Sequence, residues 1–278
     1  MTPDNEEMTK VRQSRDLLRQ DGMITAPGAY DCITARMIDQ AGFNAAAVNA
    51  PVIADADTGY GNELNVVRTV REYEQRGVAG IHLEDQGFPN KCGHLENKMI
   101  IALEDYVAKI RAAVSARRDP DFLIIARTDA RAVLGFEEAV RRANAALDAG
   151  ADMAFVEAPE SLEEVAAVPR LVRGPCLLNM VWRGKRPDVA IDDAQAMGYK
   201  LAILLVLLFN AVVGVSDKLM AELKQKRRHP MPKQTNHRRS FSGEWAPRNG
   251  TKCVKGSWGQ SAASAAPIRK RLGPVRGP

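Results

Sequence analysis

The chain is poor in cysteine, in long apolar runs and, towards one end, in acidic residues, and each shortage closes off a class of function. Its four cysteines, Cys32, Cys92, Cys176 and Cys253, are far apart and form no C-x-x-C pair, which argues against a zinc ligand set and against a disulfide framework. A reducing, cytoplasmic compartment is the expectation that follows. Met1 to Gly22 carries mixed charge without an apolar core, so it does not read as a secretory signal. The most apolar run, Leu201 to Val215, includes Asn210 and falls short of the roughly 20 residues a spanning helix needs, so no membrane span is expected. No glycine-rich phosphate loop of the Walker type is present, and nucleotide dependence is not expected.

The shortage of acid is local. From Lys224 to Pro278, fourteen Lys and Arg face one acidic residue, Glu244, whereas residues 1–223 hold 25 basic and 33 acidic residues. The overall charge of +5 therefore belongs to the tail. Residues 231–278 are rich in Pro, Gly, Ser and Asn and show no apolar period, so they are expected to form a disordered basic tail behind an α/β domain at residues 1–230. Basic clusters beside Trp245 and Trp258 are compatible with nucleic acid, but a solvated end is the plainer reading and no nucleic-acid partner is expected.

What is present is an alternation. With 278 residues, 45% hydrophobic and 26% charged, the chain can bury the core of a single barrel of roughly 250 residues. Strand-like runs at Met23-Ala26, Ala45-Val48, Val52-Ala54, Gly80-Leu83, Phe122-Ala126, Met153-Val156, Cys176-Met180 and Leu201-Leu204 are separated by amphipathic stretches such as Leu64-Arg76, Leu103-Arg117, Phe136-Ala149 and Leu162-Leu171. That order predicts β/α units on a parallel sheet, closed as a TIM-type (β/α)8 barrel. Asp55 and Asp57, Glu84 and Asp85, Arg127 and Asp129, Glu157, and Asn179 fall at the C-terminal ends of successive strands, where such a barrel carries its chemistry.

Two of these groups are informative by themselves. Asp55 and Asp57, two apart on a strand, are expected to share one face about 7 Å apart, and two hard oxygens there suit Mg²⁺ or Mn²⁺. Cys92 sits in a glycine-containing turn with Lys91 and His94 beside it, and nearby positive charge favours a reactive thiolate. Cys32 and Cys176 lie in apolar-patterned elements and read as packing residues, and His82 reads as a structural hydrogen-bonder.

Ala26-Pro-Gly-Ala-Tyr-Asp31, Val52-Ile-Ala-Asp-Ala-Asp-Thr-Gly-Tyr-Gly61, Gly80-Ile-His-Leu-Glu-Asp85, Lys91-Cys-Gly-His94, Ile125-Ala-Arg-Thr-Asp-Ala130 and Phe155-Val-Glu-Ala158 together resemble the isocitrate lyase and phosphoenolpyruvate mutase superfamily. The K-C-G-H motif resembles its 2-methylisocitrate-lyase-like branch. The resemblance, from about residue 10 to 230, implies an α/β barrel that binds Mg²⁺, acts on small 2-oxo or 2-hydroxy acids and assembles as a homo-oligomer, usually a tetramer. It implies metal binding at Asp55, Asp57 and Glu84. It implies substrate contacts from Cys92, Gly93, His94, Arg127, Glu157 and Asn179, with Cys92, His94 and Glu157 in catalytic roles. The implied reaction is retro-aldol carbon–carbon cleavage of a 2-hydroxy di- or tricarboxylate such as 2-methylisocitrate or isocitrate. Hydrolysis of a 2-oxo acid such as oxaloacetate is the alternative, and a catalytically impaired homologue is another.

The chain departs from that pattern at three places. Ala45-Val48 passes through Asn49-Ala50 directly into Pro51-Val52, and two residues cannot form a parallel crossover, which takes a dozen or more. The barrel is therefore expected to lack one β/α connection after residue 48. Asn210 stands where the resemblance implies an Arg that grips a carboxylate, with Leu205-Val206 nearby, and Trp182-Arg183-Gly184 follows Asn179-Met-Val181 where a small or acidic residue is usual.

Overall fold

The computed structural model describes residues 9–43, 51–91, 97–181 and 187–230. Cys92, Gly93, His94, Trp182, the candidate strand Ala45-Val48 and the basic tail lie outside the described residues. The strands among them are β1 (Ile24–Pro27), β2 (Ile53–Asp55), β3 (Gly80–Glu84), β4 (Leu123–Thr128), β5 (Met153–Val156), β6 (Cys176–Asn179) and β7 (Leu201–Leu204). The helices are α1 (Lys10–Arg19), α2 (Cys32–Gln40), α3 (Glu63–Gln75), α4 (Leu103–Ala116), α5 (Arg131–Leu134), α6 (Phe136–Asp148), α7 (Leu162–Leu171), α8 (Ile191–Met197) and α9 (Leu207–Lys226). The chain divides into two compact units, Met1–Met220 and Ala221–Pro278, and the site described below belongs to the first.

All seven strands pair in parallel, in the order β1-β7-β6-β5-β4-β3-β2. This is a barrel ring opened at one point: β1 and β2, the first two described strands, end the sheet instead of pairing. Residues 44–50, which precede β2, lie outside the described residues. The fold is a curled half-barrel of the TIM type, with seven described strands.

Strand period sorts the side chains into two layers. Ile81 and Leu83, Ile124 and Ala126, Ala154 and Val156, and Cys176 and Leu178 point outwards into the clusters that the helices cover. Ile125, Met153, Phe155, Leu177, Leu201 and Ile203 point inwards and fill the barrel's interior. Burial on both faces is why β3 and β4 read as continuous apolar runs rather than as alternations. The same period turns His82, Glu84, Arg127 and Asn179 inwards, above the apolar floor, and it carries Asp55 to the end of edge strand β2.

The connection after β2 is fixed locally. Gly59 adopts φ +81°, and a Cβ there would meet Val66 Cγ2 at 2.5 Å, so only glycine lets the turn press against α3. Asn62 then caps α3, its side chain accepting from the N–H groups of Leu64 and Asn65. No helix among the described residues is long and apolar enough to cross a membrane. Cys32, expected in a packed position, is exposed at the first turn of α2, because the apolar face of that helix is carried by other residues; Cys176 is buried as expected.

Candidate active site

Asp55 ends β2 with its side chain about half exposed (51%), and its Oδ1 lies 3.6 Å from Nδ1 of buried His82, its register partner on β3. Asp57 does not share a strand face with it. The strand has ended, Asp57 takes a left-handed conformation (φ +47°), and its N–H donates to Asp55 Oδ1 at 2.9 Å. Aspartate tolerates this conformation better than most residues. A turn, not strand alternation, ties the Asp57 backbone to the Asp55 carboxylate, and the backbone carbonyl of Asp57 still accepts from the N–H of Glu84 at 2.9 Å.

Glu84 is 3% exposed and lies between two partners. Its Oε2 is 3.2 Å from Arg127 Nη1, and its Oε1 accepts from Asn90 Nδ2 at 2.8 Å. The same Nδ2 donates to Asp57 Oδ1 at 2.9 Å, so Asp57 and Glu84 converge on one point. Burial pushes the Glu84 carboxyl up to about 7; the charge of Arg127 and the Asn90 hydrogen bond only partly oppose it. Burial likewise lowers the pKa of His82, leaving a neutral imidazole whose Nδ1 has no hydrogen-bond partner among the described residues. The expectation of a purely structural hydrogen-bonder fails for that atom, because the strand period aims it at Asp55 rather than at a backbone group.

Arg127 is held on three sides. Its Nε donates to Asp129 Oδ2 at 2.9 Å, its Nη1 faces Glu84, and its guanidinium lies 5.2 Å above the centre of the Phe155 ring. Burial alone would lower its pKa, but Asp129, Glu157 and Glu84 outweigh that and hold the guanidinium charged. Asp129, fully buried, is balanced by Lys98, whose Nζ donates to its Oδ1 at 2.6 Å. Glu157, just beyond β5, is 1% exposed and accepts from Asn179 Nδ2 at 3.3 Å.

Asp85, next to Glu84 in sequence, is not part of this site. One residue along a strand reverses the face. Asp85 therefore points outwards, accepting from Thr128 Oγ1 at 2.6 Å and from the Asp129 N–H at 2.8 Å, with Arg142 Nη1 of α6 at 3.1 Å. A cavity of about 610 Å³ lined by Arg71, Glu74, Gln75, Arg118 and Asp119 opens at the opposite ends of the strands, away from all of these groups.

The described residues thus assemble Asp55, Asp57, Glu84 and Arg127, with Glu157 and Asn179 paired further round the sheet. Cys92, Gly93 and His94 are outside the description, although Asn90 and Lys91, which precede them, lead into the site. Sequence reasoning noted Asn90 only as a polar flank of Cys92 without giving it a role, and it missed Lys98; nearness to Cys92 was the one signal for either. Among the described residues no three His, Cys, Asp or Glu side chains close into a metal cage. The donors nonetheless fit Mg²⁺ or Mn²⁺. Two carboxylate oxygens converge on one hydrogen-bond donor with a third carboxylate adjoining, and Mg²⁺ commonly takes one or two carboxylates and keeps several waters.

The chain resembles known proteins in both sequence and fold. Residues 44–224 match the family model described as phosphoenolpyruvate phosphomutase. The chain is 40% identical over 250 residues to 2,3-dimethylmalate lyase of Eubacterium barkeri, covering 78% of this chain and 85% of that one. It is 41% identical over 245 residues to 2-methylisocitrate lyase of Aeropyrum pernix, covering 76% and 79%. A solved structure of oxaloacetate acetylhydrolase with the inhibitor 3,3-difluorooxalacetate superposes with a TM-score of 0.78 at 32% identity, covering 81% of this chain and 89% of that one. The dimethylmalate lyase alignment spans 250 positions yet draws on only 78% of a 278-residue chain, so the relative fills positions that this chain lacks. On the family match, the identities and the shared fold, the chain belongs to the phosphoenolpyruvate mutase/isocitrate lyase superfamily.

Proposed function

We propose that the protein is a Mg²⁺- or Mn²⁺-dependent carbon–carbon lyase that cleaves a small 2-hydroxy di- or tricarboxylate such as 2-methylisocitrate or isocitrate. The observation that carries this reading is the convergence of Asp57 and Glu84 beside the fixed guanidinium of Arg127. Asp55, Asp57 and Glu84 would hold the cation. When bound, it supplies Lewis-acid polarisation of the substrate's 2-oxygen and neighbouring carboxylate. Arg127, oriented by Asp129, presents a permanent charge to a substrate carboxylate and to the negative charge that develops on it. Glu157, oriented by Asn179, takes the proton of the 2-hydroxyl as the C2–C3 bond breaks and C2 becomes the carbonyl of a 2-oxo acid. The electron pair of that bond passes to C3 and its carboxylate, and Cys92, with Gly93 and His94 beside it, returns a proton there.

A second reading has its own support. The superposition on oxaloacetate acetylhydrolase supports hydrolysis of a 2-oxo acid as a competing reading of the same site. One experiment separates them: 2-oxo acid release from isocitrate, 2-methylisocitrate, dimethylmalate and oxaloacetate with Mg²⁺, with Cys92→Ser and Asp57→Ala as controls. Glyoxylate or pyruvate, lost by at least a hundredfold in both variants, is the expected outcome. Acetate with oxalate from oxaloacetate establishes the hydrolase. No turnover of any acid by a folded, cation-binding protein makes it an impaired homologue, as the open sheet and Asn210 would explain.

A further inference from the structure

One side chain occupies the point on which the acidic groups converge. Asn90 Nδ2 is 2.9 Å from Asp57 Oδ1 and 2.8 Å from Glu84 Oε1, so a single amide nitrogen spends both of its hydrogens on two carboxylates. The amide can face only this way, since its oxygen would otherwise meet two acceptors. The backbone beside it is clamped. The N–H of Lys91 donates to Gln86 Oε1 at 3.0 Å, and the carbonyl of Lys91 accepts from Gln86 Nε2 at 2.7 Å. Gln86, 1% exposed, is itself fixed by a bridge to Ile100. Asn90 can therefore leave the two carboxylates by rotating its side chain but not by withdrawing its backbone.

We infer that Asn90 is a placeholder in the cation site: its amide takes the position in which a divalent cation, or a water bound to it, meets Asp57 and Glu84, and loading the site turns that amide away. The inference rests on the cation site proposed above. Its consequence follows from linkage, since a contact made only in the cation-free form stabilises that form and weakens the cation's apparent affinity by the same factor. Two hydrogen bonds to carboxyl oxygens, at least one of them charge-assisted, are exchanged for contacts with water, so the factor is on the order of a hundredfold. Asn90 thus sets how much cation the enzyme needs, without being a ligand the cation depends on.

The test uses the full chain and Mn²⁺ as the probe, with bound ion read by electron paramagnetic resonance and heat, and melting followed with chelator and at saturating Mn²⁺. Asn90→Ala should bind Mn²⁺ about a hundredfold more tightly. It should melt lower than wild type in chelator and equally at saturation, a pattern that a merely structural residue would not give. Asn90→Asp keeps the shape but sets a third carboxylate beside the other two, and it should widen the gap between the two melting points further. Weaker or unchanged Mn²⁺ binding by Asn90→Ala, with binding still abolished in Asp57→Ala, overturns the placeholder and leaves the cation site standing. A wild-type protein that binds no Mn²⁺ overturns both.

Discussion

Glu84 occupies a position where burial outweighs a neighbouring cation. Arg127 is 3.2 Å away, yet the carboxyl titrates at about 7 instead of its ordinary 4.5, because most of its hydration is lost and Asp129 and Asp55 add like charge. The sign for stability follows directly. Between these two values the folded chain holds a proton that the unfolded chain has released, so the cation-free protein loses stability as pH rises through that window. The contribution is fully present below the unfolded value and gone above the folded one. Denaturant unfolding in chelator at pH 5 and pH 8 should show the loss in wild type and a clearly smaller one in Glu84→Gln, whose amide has no proton to release. Equal losses in the two proteins would mean that Glu84 is solvated and ordinary. Such a carboxylate is also poised to give up its proton when a cation arrives, since metal ligands must be deprotonated.

Strands β3 and β4 show what was readable in the sequence and what was not. Their apolar runs, and the polar residues at their C-terminal ends, located the sheet and the mouth of the barrel, because burial on both faces leaves few polar positions to choose from. The roles of neighbours were harder to see. Glu84 and Asp85 look equivalent in sequence, but the strand sends one into the site and the other under α6. Asp57 looked like a strand residue because a left-handed turn leaves no mark on a short D-x-D spacing. Asn90 acts through a clamp formed by Gln86, which no periodicity encodes. The tie between α6 and the β3 end can be tested. Arg142 Nη1 lies 3.1 Å from Asp85 Oδ2 with both residues buried, and Glu138 accepts from its Nε at 3.0 Å. Arg142→Met keeps much of the volume but leaves Asp85 without its cation, and breaking a buried pair costs about 3–5 kcal/mol. Unfolding in urea should register a loss of that size. A loss under about 1 kcal/mol, the range of exposed pairs, would show that Thr128 and the Asp129 N–H satisfy Asp85 unaided.

The ends of the sheet determine how the protein behaves in solution. Among the described residues β1 and β2 end the sheet where a closed barrel has no ends, and exposed strand edges template association. Around them Ile33 and Met37 on α2, Val52 before β2, and Leu205, Leu207 and Phe209 after β7 keep 38–57% of their surfaces exposed. Relatives fill alignment positions that this chain lacks, and the two residues between Val48 and Pro51 are too few to supply a crossover. Losing a packed unit removes apolar burial worth roughly 25 cal/mol per Å² and leaves its neighbours in water. The chain should therefore melt below about 60 °C, the upper part of the usual mesophilic range, and should scatter light as it does so. Grafting the corresponding segment of 2,3-dimethylmalate lyase between Val48 and Pro51 should raise the midpoint by several degrees and suppress the scattering. A wild-type midpoint above about 60 °C without scattering would mean that the open edges are satisfied by other means, and the graft would then add nothing.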